Sequence, residues 1–295
     1  MDDPTEVFER HRDLMFAVAY RMLGSAADAD DIVQDAWLRW SAADRSGVAE
    51  PRAYLVRVAT NLAINRLTSA RAKRETYIGP WLPEPVLTGP DVAETAELAD
   101  SVSFAVLVVL ETLSPVERAV FVLREVFGFS HAEIAGATGR TEAGVRQLAH
   151  RARDRVREGR PKYTPGRDEQ RQVTSRFLQA CQDGDVDGLM SVLAPDVVLW
   201  SDAGGKRTAA RNPVYGAEKV ARLIFGLMAK HFWDSGASYE FAEINGGLGV
   251  ILDGARGYEG IVLVPEVGDG RVTGLRAVLN PDKLAAVRRG AVLRY

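Results

Sequence analysis

The apolar residues of this chain change their spacing once, and that change limits the possible folds more than any other feature. In the first half they recur three and four apart, as in helices packed by one face, whereas in the last third they alternate, as in half-buried strands. "FERHRDLMFAVAYRML" sets Leu14, Val18 and Met22 at helical spacing and stops at Gly24. "DADDIVQDAWLRW" follows, with Asp28 expected as its N-cap and Ile32, Val33, Ala36, Trp37 and Trp40 on one face. "PRAYLVRVATNLAINRL" opens on Pro51, which suits a first helical turn, and buries Leu55, Val58, Leu62 and either Ile64 or Leu67. Its opposite stripe carries Arg57, Asn61 and Asn65, four apart and so neighbours on one face.

After a Pro- and Gly-containing stretch at 75–93, helical spacing resumes with "AELADSVSFAVLVVLETL". "SPVE" at 114–117 is a capping box with proline at the first helical position, which predicts a helix through Val126. "SHAE" at 130–133 is a second capping box opening a short helix. Gly139 permits a left-handed turn, and Thr141 can cap the next helix, "EAGVRQLAHRARDRV". A short helix, a tight turn with glycine and then a basic helix is the grammar of a helix-turn-helix. Val145, Leu148 and Ala152 are expected in its core, with Arg146, Gln147, His150, Arg151 and Arg153 facing out. Arginine and glutamine have the geometry that reads guanine and adenine edges in a major groove, and further arginines can hold phosphates. An ordinary three-helix bundle is the competing reading of the same pattern.

Net charge is −3, yet the charge is distributed in blocks. Residues 51–74 hold six bases and no acid, and residues 140–162 hold eight bases against three acids. Residues 25–50 hold six acids against two bases, and residues 91–111 hold five acids and no base. Alternating blocks suit a protein that meets a polyanion and something else besides. No apolar run approaches the ~20 residues of a membrane helix and the N-terminus is unlike a secretion signal, so a soluble, cytoplasmic protein without membrane attachment is expected. The single cysteine, Cys181, excludes an internal disulfide, and four scattered histidines offer no metal-ligand spacing. Neither a metal nor a cofactor is expected.

Residues 5–158 resemble the extracytoplasmic-function sigma factors, the compact specificity subunits of bacterial RNA polymerase. In that family "DADDIVQDAWLRW" is similar to the region-two helix that docks on the clamp of the polymerase core, which implies Asp30, Asp31, Gln34 and Asp35 as the docking face. "PRAYLVRVATNLAINRLTSARAKR" is similar to the part that melts and reads the minus-ten element, which implies Arg57, Asn61, Asn65, Arg66, Arg71, Lys73 and Arg74. Amides on an acid-free helix suit splayed single-stranded bases. The segment from Leu113 to Val156 is similar to region four, which reads the minus-thirty-five element, and implies Thr141, Glu142, Arg146, Gln147, His150, Arg151 and Arg153 at promoter DNA. The resemblance divides the chain into region two at 1–75, a linker at 76–95 and region four at 96–160.

The family usually ends there, and this chain continues to residue 295. Helix patterns around "RQVTSRFLQACQDGDVDGLM" lead into a strand at Val197–Trp200, then a helix in "GAEKVARLIFGLMAKHF". Strands follow, separated by expected tight turns at Asn245-Gly246, Asp253-Gly254 and Asp269-Gly270. Helices followed by antiparallel hairpins make an α+β pattern. It resembles the SnoaL-like cone-shaped domain, so 166–295 is expected as a third, α+β domain behind two all-α ones. SnoaL-like folds include enzymes, but no acid/base pair can be placed inside this cone, and catalysis is not expected. A helix-turn-helix regulator with a ligand-binding tail, and a SnoaL-type enzyme fused to DNA-binding helices, are the competing readings.

Sigma factors with such a tail share three short motifs matched here: "WLPEP" at 81–85, "DAGGK" at 202–206 and "NPDKL" at 280–284. Ala203 departs from the usual glycine. The prolines of "PWLPEP" hold Trp81 and Leu82 at a fixed attitude, so the pair loses little entropy on docking. The resemblance implies that Trp81, Leu82 and Pro83 meet Asp202, Gly204, Gly205 and Lys206 together with Asn280, Pro281, Asp282 and Lys283. The expectation is that the tail packs on the linker and on both DNA-binding units and governs promoter access. A monomer needing no separate anti-sigma factor would result. Trp81 packing back onto its own helices is the competing arrangement.

Overall fold

A helix begins where its first amides find a side-chain acceptor, and this rule sets most element boundaries here. The computed structural model describes residues 3–45, 47–74, 76–89, 101–159, 166–233, 235–258 and 260–294, with residues 70–74 described by their backbone. The chain separates into two compact units: residues 1–76, 88–160 and 292–295 form one, and residues 77–87 and 161–291 form the other. Among the described residues no helix is long and apolar enough to cross a membrane.

The first unit is helical. Asp3 caps the helix Pro4–Leu23, which ends on Gly24 at φ 64°, and Leu14, Val18 and Met22 are buried as the spacing requires. The second helix, Ala26–Ala42, corrects one expectation. Its N-cap is Ser25, whose hydroxyl accepts from the Asp28 amide at 3.0 Å, so Asp28 lies inside the first turn, where a carboxylate favours the helix dipole. The third, Pro51–Arg74, is continuous and packs on both, burying Leu55, Val58, Leu62 and Leu67.

After Ser103, which caps the helix Phe104–Leu110, both capping boxes form. The Ser114 box opens Pro115–Phe121, and this helix then widens into a π turn over Val122–Val126 instead of continuing as α-helix. The Ser130 box opens His131–Thr138, with the Glu133 carboxylate accepting from the Ser130 amide at 2.7 Å. Those hydrogen bonds from Ser130 hold the Glu133 carboxyl below its ordinary range. Gly139, at φ 65°, ends this helix, and the Thr141 hydroxyl accepts from the Gly144 amide at 3.2 Å to start Glu142–Gly159. Val145, Ala149, Ala152 and Val156 are its buried face; Leu148 is only half-buried, because Ala149 occupies the inward position.

The second unit is α+β. Helices Arg167–Asp183 and Val186–Val192 precede a long strand, Leu193–Asp202, which extends past the expected Val197–Trp200 at both ends. A short strand at Val214–Tyr215 and the helix Ala217–Leu227 follow, then four strands: Ser238–Ile244, Gly247–Asp253, Ile261–Gly268 and Arg271–Val278. These four pair antiparallel in chain order. The sheet is not wholly antiparallel, however. Leu193–Asp202 pairs parallel with Arg271–Val278, with Leu199 opposite Leu275 and Asp202 opposite Val278. The intervening helix and meander supply the long crossover that parallel pairing needs.

Asn245-Gly246 and Asp269-Gly270 each put two successive residues at positive φ, 52° and 75° in the first and 50° and 69° in the second, as tight hairpin turns require. Asp253-Gly254 is not such a turn. Its strand ends at Asp253 and the next begins at Ile261, so a loop replaces the two-residue connection. The core lies between the sheet's inner face and the helices, where Phe177, Leu189, Val220, Val250 and Leu275 are buried together.

Candidate nucleic-acid interface and linker site

The side chains of Thr141, just ahead of Glu142–Gly159, and of Glu142, Arg146, Gln147, His150, Arg151 and Arg153 on it are all exposed. Arg146 donates to Glu142 at 2.7 Å, and His150 Nδ1 lies 2.9 Å from Asp154, both pairs four residues apart on the solvent side. Arg153 forms a fork with Glu125, at 3.1 and 2.7 Å. Such exposed pairs are weak, about 0.3–0.5 kcal/mol for the i,i+4 case, so a phosphate or base edge can displace them. Glu125 had no visible link to the basic helix in the sequence, since the pair joins residues 28 positions apart.

The helix Pro51–Arg74 presents Arg57, Asn61, Asn65 and Arg66 to solvent, with the Arg57 guanidinium 5.3 Å from the Tyr54 ring centroid. Arg66 reaches the neighbouring helix, where Nε donates to Asp28 at 2.9 Å and Nη2 to Asp31 at 2.8 Å. A residue expected at DNA is thereby paired with one expected at the polymerase. The side chains of Arg71, Lys73 and Arg74 lie outside the described residues. Asp31, Gln34 and Asp35 are exposed, and Asp30 is half-buried. Leu38, 58% exposed, extends the same stripe by one turn and escaped sequence reasoning, because an isolated leucine in an amphipathic helix reads as core.

The most constructed site of the second unit surrounds Asp202. Its side chain is fully buried at the end of the strand Leu193–Asp202 and accepts three hydrogen bonds. The Leu82 amide donates at 2.7 Å, the Lys283 ammonium at 2.6 Å, and the Tyr77 hydroxyl donates to the other carboxylate oxygen. Lys283 also donates to the Leu82 carbonyl at 2.5 Å, so both main-chain polar groups of Leu82 are held by one ion pair. The same ammonium lies 4.2 Å from the Trp81 ring centroid and 4.9 Å from that of Tyr77, a cation–π arrangement on both sides. Leu82 is 1% exposed and Pro83 is buried.

Asn280 completes the knot. Its Nδ2 donates to the Tyr77 hydroxyl at 3.0 Å, and its Oδ1 accepts from the Asp282 amide at 3.2 Å, capping the short turn Pro281–Leu284. Burial and then the Asp202 carboxylate push the Tyr77 hydroxyl well above its ordinary pKa, so it stays protonated and donates. At Gly204 a Cβ would lie 2.5 Å from Asn280 Nδ2, which explains why this loop position needs glycine. Ala203, by contrast, is buried and has no positive φ, so its methyl group is accommodated without strain. Lys206 and Asp282 form an exposed pair at 2.5 Å, and Pro281 is half-buried.

Two anchors of the linker were not foreseen, Tyr77 and Asn245. The Val86 amide donates to the Asn245 side chain at 3.1 Å and its carbonyl accepts the Asn245 amide at 3.0 Å, while Leu87 pairs antiparallel with Ile244. An Asn-Gly turn had accounted for Asn245 fully. A tyrosine three residues ahead of the proline-rich segment was the available signal for Tyr77.

A capped helix-turn-helix with an arginine-bearing second helix, beside an amide-lined helix free of acids, defines a DNA-binding protein of the transcription machinery. The Sigma-70 region 2 family model matches residues 7–73, and the Sigma-70, region 4 model matches residues 103–156. The ECF RNA polymerase sigma factor SigJ of Mycobacterium tuberculosis is 40% identical over 287 residues, covering 94% of this chain and 91% of that protein. A probable ECF RNA polymerase sigma factor, SigI of the same species, is 31% identical over 290 residues and 97% of each chain. The crystal structure of SigJ superposes with a TM-score of 0.75 at 38% identity, covering 96% of this chain and 98% of that one. The chain belongs to the extracytoplasmic-function sigma factors of RNA polymerase, and like SigJ it continues beyond region four into a C-terminal part, here an α+β unit.

Proposed function

We propose that this sigma factor, which binds core RNA polymerase and directs promoter-specific initiation, is regulated by its own C-terminal domain acting through the linker. In this reading, residues 1–75 serve as region two, 96–160 as region four and 166–295 as the regulatory domain. Arg146 and Gln147 read base edges of the minus-thirty-five element, and His150, Arg151 and Arg153 hold its backbone, with Thr141 and Glu142 at the helix start. Asn61 and Asn65 take unpaired minus-ten bases, supported by Arg57, Arg66, Arg71, Lys73 and Arg74. Asp30, Asp31, Gln34 and Asp35 dock on the clamp of the core enzyme. A free monomer needs no separate anti-sigma factor, and the C-terminal domain performs no catalysis.

The observation that carries the regulatory reading is the capture of both main-chain groups of Leu82 by the buried Asp202–Lys283 pair. A passive linker has no need of an ion pair at its backbone, and burying charges costs free energy unless they are well matched. The linker is therefore a ligand of the C-terminal domain, and polymerase has to compete with that contact or rearrange it. Transcription in vitro with purified core enzyme tests this. Leu82→Ala and Trp81→Ala, which weaken the linker's hold and leave every expected DNA-contacting residue in place, raise transcript yield; unchanged yield with both refutes the regulatory role.

A further inference from the structure

The α+β unit holds a half-open cavity of about 280 Å³, near the lower end of the ~300–1,000 Å³ range of small-molecule sites. Phe177, Ile224, Met228, Leu263 and Leu275 supply apolar walls, and Gln182, Ser201, Thr208 and Tyr239 place isolated polar groups around them. Among the described residues the lining has no carboxylate, imidazole, ammonium or guanidinium group. The one thiol, Cys181, is held neutral because burial pushes it up to about 12. The described lining therefore offers no ionised group to balance a charged guest. A hole with apolar walls gives water few partners and costs stability in proportion to its volume. Its chemistry favours one kind of occupant.

Two lining residues also belong to the linker knot by direct chain connection. Ser201 precedes Asp202 on the same strand, and successive strand residues point to opposite faces, so one residue lines the cavity while the next holds the linker. Leu279, also in the lining, donates its amide to the Asp202 carbonyl at 2.7 Å, and the adjacent Asn280 amide does so at 2.9 Å. The cavity wall and the residues that grip Leu82 are thus one piece of backbone.

We propose that the cavity binds an uncharged, mainly apolar small molecule with a single hydrogen-bonding group, and that occupancy tightens the Asp202–Leu82 contact by stiffening the strand end that carries it. The polar lining groups choose the guest's orientation, and the lack of charge among the described lining residues disfavours acids and amines in their ionised forms. The cavity then serves as the sensor of the regulatory domain, an assignment whose coupling half rests on the regulatory reading of the linker.

The test uses the full chain and N-phenylnaphthylamine, an uncharged two-ring aromatic amine with one N–H whose fluorescence rises on leaving water. Saturable binding of one molecule per chain is expected. Ala277→Phe, which fills the cavity from the sheet, and Ala209→Trp, at a half-buried lining position, each weaken it at least tenfold; both residues line the cavity, and a variant that keeps the wild-type melting temperature suffices. Non-saturable binding, or equal affinity in a folded filled variant, overturns the site. Hydrogen exchange reads the coupling: the saturating probe slows the Leu82 amide, bonded to Asp202, and leaves the Ile134 amide of the helical unit unchanged. Exchange at Leu82 that is unchanged or faster overturns the coupling. Failure of the regulatory reading has a separate signature, since Leu82→Ala then leaves transcription unchanged whether or not the probe binds.

Discussion

Lys283→Met keeps an unbranched side chain of similar length and removes the ammonium group, with its charge and its hydrogen-bond donors. The Lys283 side chain is 8% exposed and that of Asp202 is 0% exposed, so solvent cannot replace the lost ammonium. Asp202 keeps the Leu82 amide and the Tyr77 hydroxyl but becomes a buried anion without a counter-charge, and breaking such a pair from one side costs about 3–5 kcal/mol. The Leu82 carbonyl also loses its donor, a loss of about 1–3 kcal/mol that overlaps with the first because one ammonium serves both. The expected cost is therefore about 3–5 kcal/mol, which at about 1.4 kcal/mol per tenfold corresponds to an open population of the linker at least a hundredfold larger. Native-state hydrogen exchange at the Leu82 amide measures it, with thermal melting to verify the fold. Adding Asp202→Asn removes the orphaned charge while leaving an oxygen for the Leu82 amide, so the double variant is more stable than Lys283→Met alone. A single-variant cost under about 1 kcal/mol, or a double variant showing simple additivity, refutes the claim that this ion pair holds the linker.

Arg146→Ala relaxes sequence preference at one or two minus-thirty-five positions and costs about 1–3 kcal/mol, whereas Arg153→Ala weakens binding to all sequences and lowers the salt slope by about one; salt-dependent binding to a promoter panel distinguishes them, and equal effects on every promoter refute the division of labour. Asn61→Ala and Asn65→Ala leave affinity for core polymerase intact and reduce open-complex formation, while Asp31→Lys reduces affinity for the core enzyme. Permanganate footprinting alongside a core-binding titration checks both, and asparagine variants that melt promoters normally but bind core poorly overturn the assignment.

The helical half was legible because its signals are local. A capping box, a left-handed glycine and an amphipathic stripe each depend on residues within about four positions, and helices are built from contacts at that range. Ser114, Ser130, Gly24 and Gly139 sit where such reasoning puts them. It slipped at the second helix, where Asp28 was expected to cap and Ser25 does, since both residue types can cap and only the backbone conformation decides. The π turn after Phe121 and the loop after Asp253 had no such short-range signature.

The sheet and the linker site depend on separations no local pattern encodes. Alternation located the strands but was blind to the parallel pairing of Leu193–Asp202 with Arg271–Val278, because period two specifies a face and not a neighbour. Family resemblance singled out "WLPEP", "DAGGK" and "NPDKL" as motifs, yet an ion pair gripping one leucine's backbone required Leu82, Asp202 and Lys283 to converge from as many as 201 residues apart. What the sequence determined by itself is the set of surfaces available: an arginine-bearing helix, an amide stripe, an acidic face and an apolar segment needing cover. Tertiary structure decided which of these is covered and by what, because a buried charge is tolerated only where a partner and its hydrogen bonds are brought to it, and that matching exists only after the chain has folded.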